Sequence, residues 1–366
     1  MLPIEYINKN GSELISPNNF NEADLILFAT LPLIDISNVG IPVEGEKGST
    51  NLKDILNKQY RLHKREKYGL ILKRKINDYL EAAANCDRYT PLKFYNLFYK
   101  VDNNTQSVFF MCDISENITI VDFSGTDDTI TGWIENLKLL VNQEQECLTN
   151  AREYVNRNCT DPNKYYVLVG HSKGGLISNY ALLTANNDVK DRIIVAYNLD
   201  GPGFSKEFIK KHKNDKILEY SLIFYAPKGS VIGRLFNQFK NAIVVKTSAK
   251  GLEEHNPVEW NIDDNFNFIR CRSFSKKSTI TDMMIKKYIN QLGKKETEDL
   301  VNTISKILHT GNKITLTGLF THPFKLLRAT FSLPKAEKKQ VLSVPFKLIK
   351  LNTQSRKELN SKLKLK

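Results

Sequence analysis

The feature that most constrains the fold is a strand–turn–helix signature at residues 165–185. Tyr165 to Val169, YYVLV, is an unbroken apolar run typical of a buried parallel strand, and Leu176 to Ala185 has the apolar spacing of a helix. Between them stands the pentapeptide GHSKG (170–174), whose glycines permit a sharp turn around its central serine. This signature predicts a parallel sheet covered by helices.

The rest of the chain extends this pattern. Apolar strands are expected at 107–113, 118–123, 193–199, 220–225 and 242–246, with helical stretches such as 131–142 between them. The polar turn at 114–117 predicts a hairpin between the first two strands. Strands that alternate with helices predict an α/β fold with a mostly parallel sheet and helices on both faces.

Ser172 in this setting is the predicted nucleophile. A serine at a strained strand-to-helix turn, a nucleophile elbow, projects its hydroxyl above the edge of the sheet. The helix behind it offers unpaired N–H groups to a developing oxyanion. A GxSxG sequence alone also occurs by chance, so the interpretation depends on the flanking strand and helix. The alternative is a serine that only shapes a glycine turn.

A serine hydroxyl is a weak nucleophile at pH 7 and needs a base, which in this type of fold comes last along the chain. The six histidines are His63, His171, His212, His255, His309 and His322. His63 precedes the serine, and His171 adjoins it and should point away. His212 lies in the run KKHKND, which looks exposed. His309 and His322 lie in a basic C-terminal region. His255, in GLEEHNPVEW, is therefore the predicted base, with a polar loop residue as the alternative.

Asp200 is the predicted acid. It ends the strand IIVAYNL and opens the turn DGPG, where a carboxylate is well placed to orient an imidazole. Glu253 and Glu254 are too close to His255 along the chain to be favoured. The alternative role for Asp200 is to cap its own turn.

An oxyanion hole needs two backbone N–H donors. The first is expected from Lys173, the residue after the nucleophile, and the second from Thr126 in the polar loop SGTDD (124–128). An ordinary polar turn is the alternative for that loop. No metal or organic cofactor is needed for this chemistry, and the five scattered cysteines contain no CxxC spacing that would indicate a zinc site.

Four segments together resemble a known family. FSGTDDTITGW (123–133), VGHSKGG (169–175), NLDGPGF (198–204) and KGLEEHNPVEW (250–260) are similar to a bacterial family of α/β-hydrolase-like proteins called Mbeg-like, which is related to the class 3 lipases. The resemblance covers roughly residues 20 to 270. It implies an α/β-hydrolase core with Ser172 as nucleophile, Thr126 in the oxyanion loop and His255 as base.

The sequence departs from this family at two places. Ser124 stands where the family's loop usually begins with arginine, which removes an ion pair that could stabilise the loop. The class 3 lipases place their acid after a later strand, where this chain has PKGS (227–230) without a carboxylate. Asp200 is then favoured by elimination, or the site is a dyad without an acid.

The positive charge is concentrated at the C-terminal end. The net charge is +13, but residues 270–366 hold 22 lysines and arginines against 6 acidic residues, a balance of +16. We therefore expect an α/β-hydrolase domain over 1–270, helical to about residue 105, and a basic helical extension over 271–366.

Such asymmetry of charge along the chain indicates an anionic partner. Because apolar clusters alternate with lysines and nucleic-acid-binding signatures are missing, an anionic membrane is favoured over nucleic acid, with a solvated helical cap as the alternative.

The leading functional hypothesis is a serine hydrolase, lipase-like or esterase-like, that cleaves acyl esters or lipids. A thioesterase or amidase would use the same residues. From a different class, a non-catalytic lipid- or protein-binding module could retain the fold. The odd number of widely separated cysteines and the lack of signal-peptide and transmembrane patterns predict a cytoplasmic protein. If the basic extension binds a membrane, the protein is expected to be peripheral on its inner face.

Overall fold

The computed structural model describes residues 1–63, 75–102, 105–126, 135, 138, 145–309 and 323–364. The side chains of His63, His309, 323–327 and 363–364 are not described. The helix predicted at 131–142 lies outside these residues except for Glu135 and Lys138, which are helical. His322 also lies outside them.

A mixed sheet forms the centre of the described chain. Its strands are β1 (Lys93–Val101), β2 (Gln106–Asp113), β3 (Ile118–Phe123), β4 (Tyr165–His171), β5 (Ile193–Leu199), β6 (Leu222–Pro227) and β7 (Ile243–Val245). They lie side by side in this same order. The pairs β1–β2 and β2–β3 are antiparallel, and every pair from β3 to β7 is parallel. The predicted hairpin and mostly parallel sheet are confirmed.

Strand β1 is the strand of the described sheet that the sequence analysis did not predict. The helical N-terminal part, expected to reach about residue 105, ends instead at the 3₁₀ turn Asp87–Tyr89. A register shift between Tyr95 and Phe98 interrupts the pairing of β1 with β2. Such a bulge adds a residue to one strand, so the period-two alternation that would mark a strand is lost.

Crossover helices cover one face of the sheet. They are α5 (Glu146–Asn158), α6 (Lys173–Thr184), α7 (Asn187–Lys190), α8 (Lys206–His212) and α9 (Ile217–Tyr220). Parallel strands placed in sequence order, with the usual right-handed crossovers, put all connecting helices on the same side. Side chains from α5 and α6 accordingly form one core with Val121, Phe123 and Leu168 of the sheet.

The opposite face needs its own cover, which the N-terminal part provides. Its helices are α1 (Pro3–Asn10), α2 (Leu25–Thr30), α3 (Leu52–His63) and α4 (Lys75–Asn85). All six side chains of α2 are buried, so this short helix lies inside the core. A buried ion pair between Arg88 and Asp24, 2.7 Å, fixes the N-terminal layer. Both faces of the sheet are therefore covered by helices, as expected.

The C-terminal region is helical, as predicted. It consists of α10 (Lys276–His309), kinked at Gly293, α11 (Pro323–Ser332) and α12 (Lys335–Lys364). The first turns of α10 contact the loop after β6, where the Ser278 hydroxyl donates to the Ser230 carbonyl at 2.5 Å and Arg234 pairs with Asp282 at 2.8 Å. Over the described residues, no helix combines the length and apolar character needed to cross a membrane.

Candidate active site

Ser172 occupies the turn between β4 and α6 in a strained backbone conformation. Its φ is 56° and its ψ is −127°, a backbone conformation that residues other than glycine rarely adopt. Two hydrogen bonds fix this geometry, since the Ser172 N–H donates to Leu199 O and the Gly175 N–H donates to Ser172 O, both at 2.9 Å. Strain of this kind persists only where surrounding contacts impose it, and it is common at functional sites.

The glycines around Ser172 are required by close packing. A Cβ at Gly170 would lie 2.1 Å from the Gly174 carbonyl oxygen, and a Cβ at Gly174 would lie 2.0 Å from the Phe123 carbonyl oxygen. Both distances are far below van der Waals contact. The prediction that small residues let the strand and helix approach at this turn is confirmed.

Asp200 lies beside Ser172 at the carboxyl edge of the sheet. In the parallel register His171 at the end of β4 pairs with Leu199 at the end of β5. The residues that follow these two strands are Ser172 and Asp200. Neighbouring strands are about 4.8 Å apart, which places the two residues side by side. Asp200 is fully buried and also has a positive φ, 52°.

The Asp200 carboxylate joins His255 to the loop after β6. Its Oδ2 accepts a hydrogen bond from His255 Nδ1 at 2.7 Å. Its Oδ1 accepts from the Ser230 hydroxyl at 2.5 Å and from the Gly233 N–H at 3.1 Å. Burial raises the pKa of this carboxyl, and the hydrogen bonds from His255 and Ser230 oppose that rise.

The 227–230 segment thus contributes to the site without supplying a carboxylate. Sequence reasoning noted only that PKGS lacks a carboxylate, whereas the Ser230 hydroxyl donates a hydrogen bond to the Asp200 carboxylate just after β5. A serine beside a glycine in a loop gives a weak sequence signal, because the same residues commonly form plain turns.

His255 ends a 3₁₀ turn, Gly251–His255, and is largely buried. A carboxylate only accepts hydrogen bonds, so the contact with Asp200 places a proton on Nδ1 and leaves Nε2 as the ring nitrogen with a lone pair. Among the described residues, Ser172 Oγ and His255 Nε2 make no hydrogen bond to each other. His255 is hydrogen-bonded to Asp200, which follows the strand beside Ser172, and to His171, which precedes Ser172 in the chain.

His171 contacts His255 through both its ring and a hydrogen bond. Its Nε2–H donates to the His255 carbonyl at 2.8 Å, and the two ring centroids lie 4.4 Å apart. Burial, with a smaller contribution from nearby His255, holds the pKa of His171 well below its usual range, so the ring is neutral. Its side chain therefore fixes the His255 turn.

The low pKa of His171 predicts a pH-dependent stability. The unfolded chain protonates this histidine below about pH 6.5 while the folded chain does not. The free energy of unfolding should therefore fall as the pH drops below about 6.5, by at most about 1.4 kcal/mol per pH unit from this residue. Urea unfolding at pH 7.5 and at about pH 5.5 measures it. His171→Gln, which keeps a donor, should show a flatter dependence, and an unchanged slope would contradict the assignment.

The described contacts of His212 lie outside the site. His212 bonds to Asp215 through Nδ1 at 2.8 Å and packs on Phe208. It is buried, although the charged run around it suggested exposure. Its apolar contact comes from Phe208, one turn earlier on α8. The lysines around His212 in the sequence give no indication of this contact.

The loop after β3 lies against Ser172. A Cβ at Gly125 would be 3.5 Å from Ser172 Cβ, and Thr126, the predicted donor, is half-buried beside it. The Ser124 hydroxyl donates to Pro32 O at 2.9 Å, and Gln106 Nε2 donates to Gly125 O at 3.2 Å. Ser124 therefore anchors the loop by a hydrogen bond.

Lys173, the other predicted donor, combines two roles. Its N–H belongs to the first residue of α6 and has no carbonyl partner within that helix. Its side chain is fully buried, where Nζ pairs with Glu135 Oε2 at 2.7 Å and donates to Gln106 O at 2.9 Å. Sequence reasoning missed Glu135 and Gln106. Through Gln106, this buried ion pair holds the Ser124–Thr126 loop.

Breaking that ion pair should destabilise the protein strongly. Lys173→Met leaves Glu135 buried without its cation, which costs about 3–5 kcal/mol of unfolding free energy in comparable cases. Lys306→Met is the matched control, because its pair with Glu337 is exposed and is worth about 0–1 kcal/mol. Chemical denaturation measures both. The double variant Lys173→Met with Glu135→Leu should recover most of the loss, and equal losses for Lys173→Met and Lys306→Met would contradict this account.

The family model described as Mbeg1-like matches residues 83–306, more than half of the chain. The chain belongs to the Mbeg1-like family. All the site residues of this Mbeg1-like protein, from Gln106 to His255, lie inside the matched region. No curated protein and no solved structure gives a significant match.

The site of this Mbeg1-like protein combines a histidine–carboxylate pair with backbone donors. In the described part of the chain, no group of three or more histidine, cysteine or carboxylate side chains is arranged to hold a metal ion. The described cysteines are all free. What the residues bring together is a strained serine, a histidine–carboxylate pair and a helix N-terminus, all at the carboxyl edge of parallel strands.

Proposed function

We propose that this Mbeg1-like protein is a serine hydrolase that cleaves carboxylic esters, on an α/β-hydrolase fold. The observation that carries the proposal is the 2.7 Å contact between His255 Nδ1 and Asp200 Oδ2, next to Ser172 on the neighbouring strand. The order Ser172, Asp200, His255 along the chain is the order of this fold's catalytic triads. A strained serine with a positive φ agrees with the same interpretation.

The proposed reaction proceeds through an acyl-enzyme. Ser172 Oγ attacks the ester carbonyl while His255 Nε2 takes its proton, and Asp200 stabilises the resulting imidazolium. The oxyanion accepts hydrogen bonds from the N–H groups of Thr126 and Lys173, at the positive end of α6. His255 then protonates the departing alkoxide, and a water activated by His255 hydrolyses the acyl-enzyme.

Thioesters and amides are attacked by the same groups, so the leaving group is decided by assay. The full chain should hydrolyse p-nitrophenyl esters of graded acyl length, and the length profile identifies the acyl group that fits. Ser172→Ala, purified in parallel, controls for contaminating esterases. If no ester, thioester or amide is hydrolysed above the Ser172→Ala background, the alternative of a binding module that retains the fold replaces the proposal.

A further inference from the structure

Helix α12 has two faces, and only one of them packs in a core formed by the described residues. Its inner side, with Val341, Val344, Leu348 and Leu351, packs against Tyr288, Leu292 and Leu300 of α10. These contacts form a small core separate from those of the sheet. Among the described residues, the packing of α12 against α10 therefore uses its inner side.

The outer side of α12 nevertheless carries large apolar residues. Phe346 is 76% exposed, Ile349 is 66% exposed and Leu342 is 47% exposed. Spacings of four and three residues place them on one stripe of the helix. Single exposed apolar residues are ordinary, but a contiguous apolar stripe on the solvent side of a helix marks an interaction surface.

Lysines continue this stripe in both directions. At 100° per residue, Lys335 and Lys339 precede Leu342 on the same arc, and Lys350 and Lys357 follow Phe346 on it. All four are exposed. We call the seven residues the outer face of α12: Lys335, Lys339, Leu342, Phe346, Ile349, Lys350 and Lys357.

No carboxylate of α12 neutralises this face. The acidic residues of the helix are Glu337 and Glu358, which lie off the arc and are engaged elsewhere. Glu337 pairs with Lys306 of α10 at 2.8 Å, and Glu358 pairs with Lys287 of α10 at 2.5 Å. The inward placement of the negative charges leaves the lysines of the outer face unopposed by their own helix.

We propose that the outer face of α12 binds an anionic lipid bilayer, with the helix lying in the plane of the surface. Charge complementarity selects this occupant, because apolar side chains flanked by lysines suit an interface of acyl chains beneath phosphate groups. The apolar stripe would enter the boundary between headgroups and acyl chains while the lysines contact phosphates. Binding by this face does not depend on the proposed hydrolysis.

Vesicle co-sedimentation of the full chain tests this assignment. Vesicles of phosphatidylcholine mixed with phosphatidylserine should pellet the protein, and pure phosphatidylcholine vesicles should not. Added salt should weaken the binding, since it screens the lysine–phosphate attraction. Each well-placed lysine near an anionic surface changes the partition coefficient about fivefold. Lys339→Gln with Lys350→Gln should therefore reduce it by roughly 25-fold.

Matched variants separate the face from general charge and stickiness. Lys210→Gln with Lys211→Gln removes two exposed lysines from α8 and should have little effect. Phe346→Ser with Ile349→Ser should reduce the partition coefficient at least about tenfold because both side chains leave the interface. Tyr220→Ser, at a site 70% exposed, is its control and should bind normally.

Three outcomes would overturn the proposal. They are failure of the wild-type protein to bind the anionic vesicles, equal losses for the α8 and α12 lysine variants, and unchanged binding by Phe346→Ser with Ile349→Ser. Thermal unfolding of each variant confirms that folding is retained, which is expected because every substituted side chain is exposed.

Discussion

Ser172→Ala is expected to abolish ester hydrolysis while leaving the protein folded. Loss of a triad nucleophile lowers kcat on the order of a million-fold, because the residual rate comes only from binding and the oxyanion donors. The Ser172 side chain makes no described hydrogen bond that the fold needs, so the unfolding midpoint should change little. Steady-state kinetics and thermal unfolding measure the two effects separately.

Ser178→Ala is the matched control for that variant. Ser178 lies further along the same helix, where its hydroxyl donates to the Gly175 carbonyl at 2.9 Å. Its loss should leave kcat near the wild-type value, with a stability cost of about 1 kcal/mol. Full activity in Ser172→Ala would remove the central assignment, and equal loss in both variants would indicate a general defect of α6.

The second large effect concerns the histidine–carboxylate pair. His255→Ala should reduce kcat about as much as Ser172→Ala, because nucleophile and base act as a unit. Asp200→Asn keeps the size of the side chain but removes the charge that stabilises the imidazolium, and a loss of about 10⁴-fold is expected. The Ser172→Ala, His255→Ala double variant should be little worse than either single variant.

The chain contains its own control pair for this experiment. His212 and Asp215 are also joined through Nδ1 at 2.8 Å, the same type of contact as His255 and Asp200 at 2.7 Å. His212→Ala and Asp215→Asn should therefore leave kcat nearly unchanged. If the His212 pair carried the activity loss instead, the base would have to be reassigned to His212.

The sequence allowed the strands from β2 to β7 to be predicted within about two residues, because buried strands are read from local apolar runs. The covered faces also follow from local pattern and the usual handedness of crossovers. Strand β1 was missed because its bulge between Tyr95 and Phe98 breaks the alternation. A local pattern cannot reveal a strand whose irregularity is set by its partner.

The site residues show the same limit of local sequence patterns. Ser172, Lys173, Thr126, Asp200 and His255 could be proposed from the sequence because each has a recognisable position relative to a strand or the elbow. Ser230, Glu135 and Gln106 were not found, because their roles exist only across the folded chain. Lys173 contacts Gln106 across 67 residues and Glu135 across 38, distances along the chain that no local motif spans.

The C-terminal region shows what composition can and cannot predict. Its helices and its positive charge were expected from the sequence. The two faces of α12 could not be separated, because Val341 and Leu342 are adjacent in sequence and only packing against α10 distinguishes them. Val341 joins the small core, whereas Leu342 lies on the exposed stripe.

The measurement that tests the central claim most directly is labelling of the full chain with a fluorophosphonate, followed by mass spectrometry of the peptides. Only an activated serine reacts at a useful rate, so the result does not require knowledge of the substrate. The account predicts one adduct, on Ser172, that is lost in Ser172→Ala and strongly slowed in His255→Ala. Absence of an adduct on Ser172, or labelling that persists in Ser172→Ala, would contradict it.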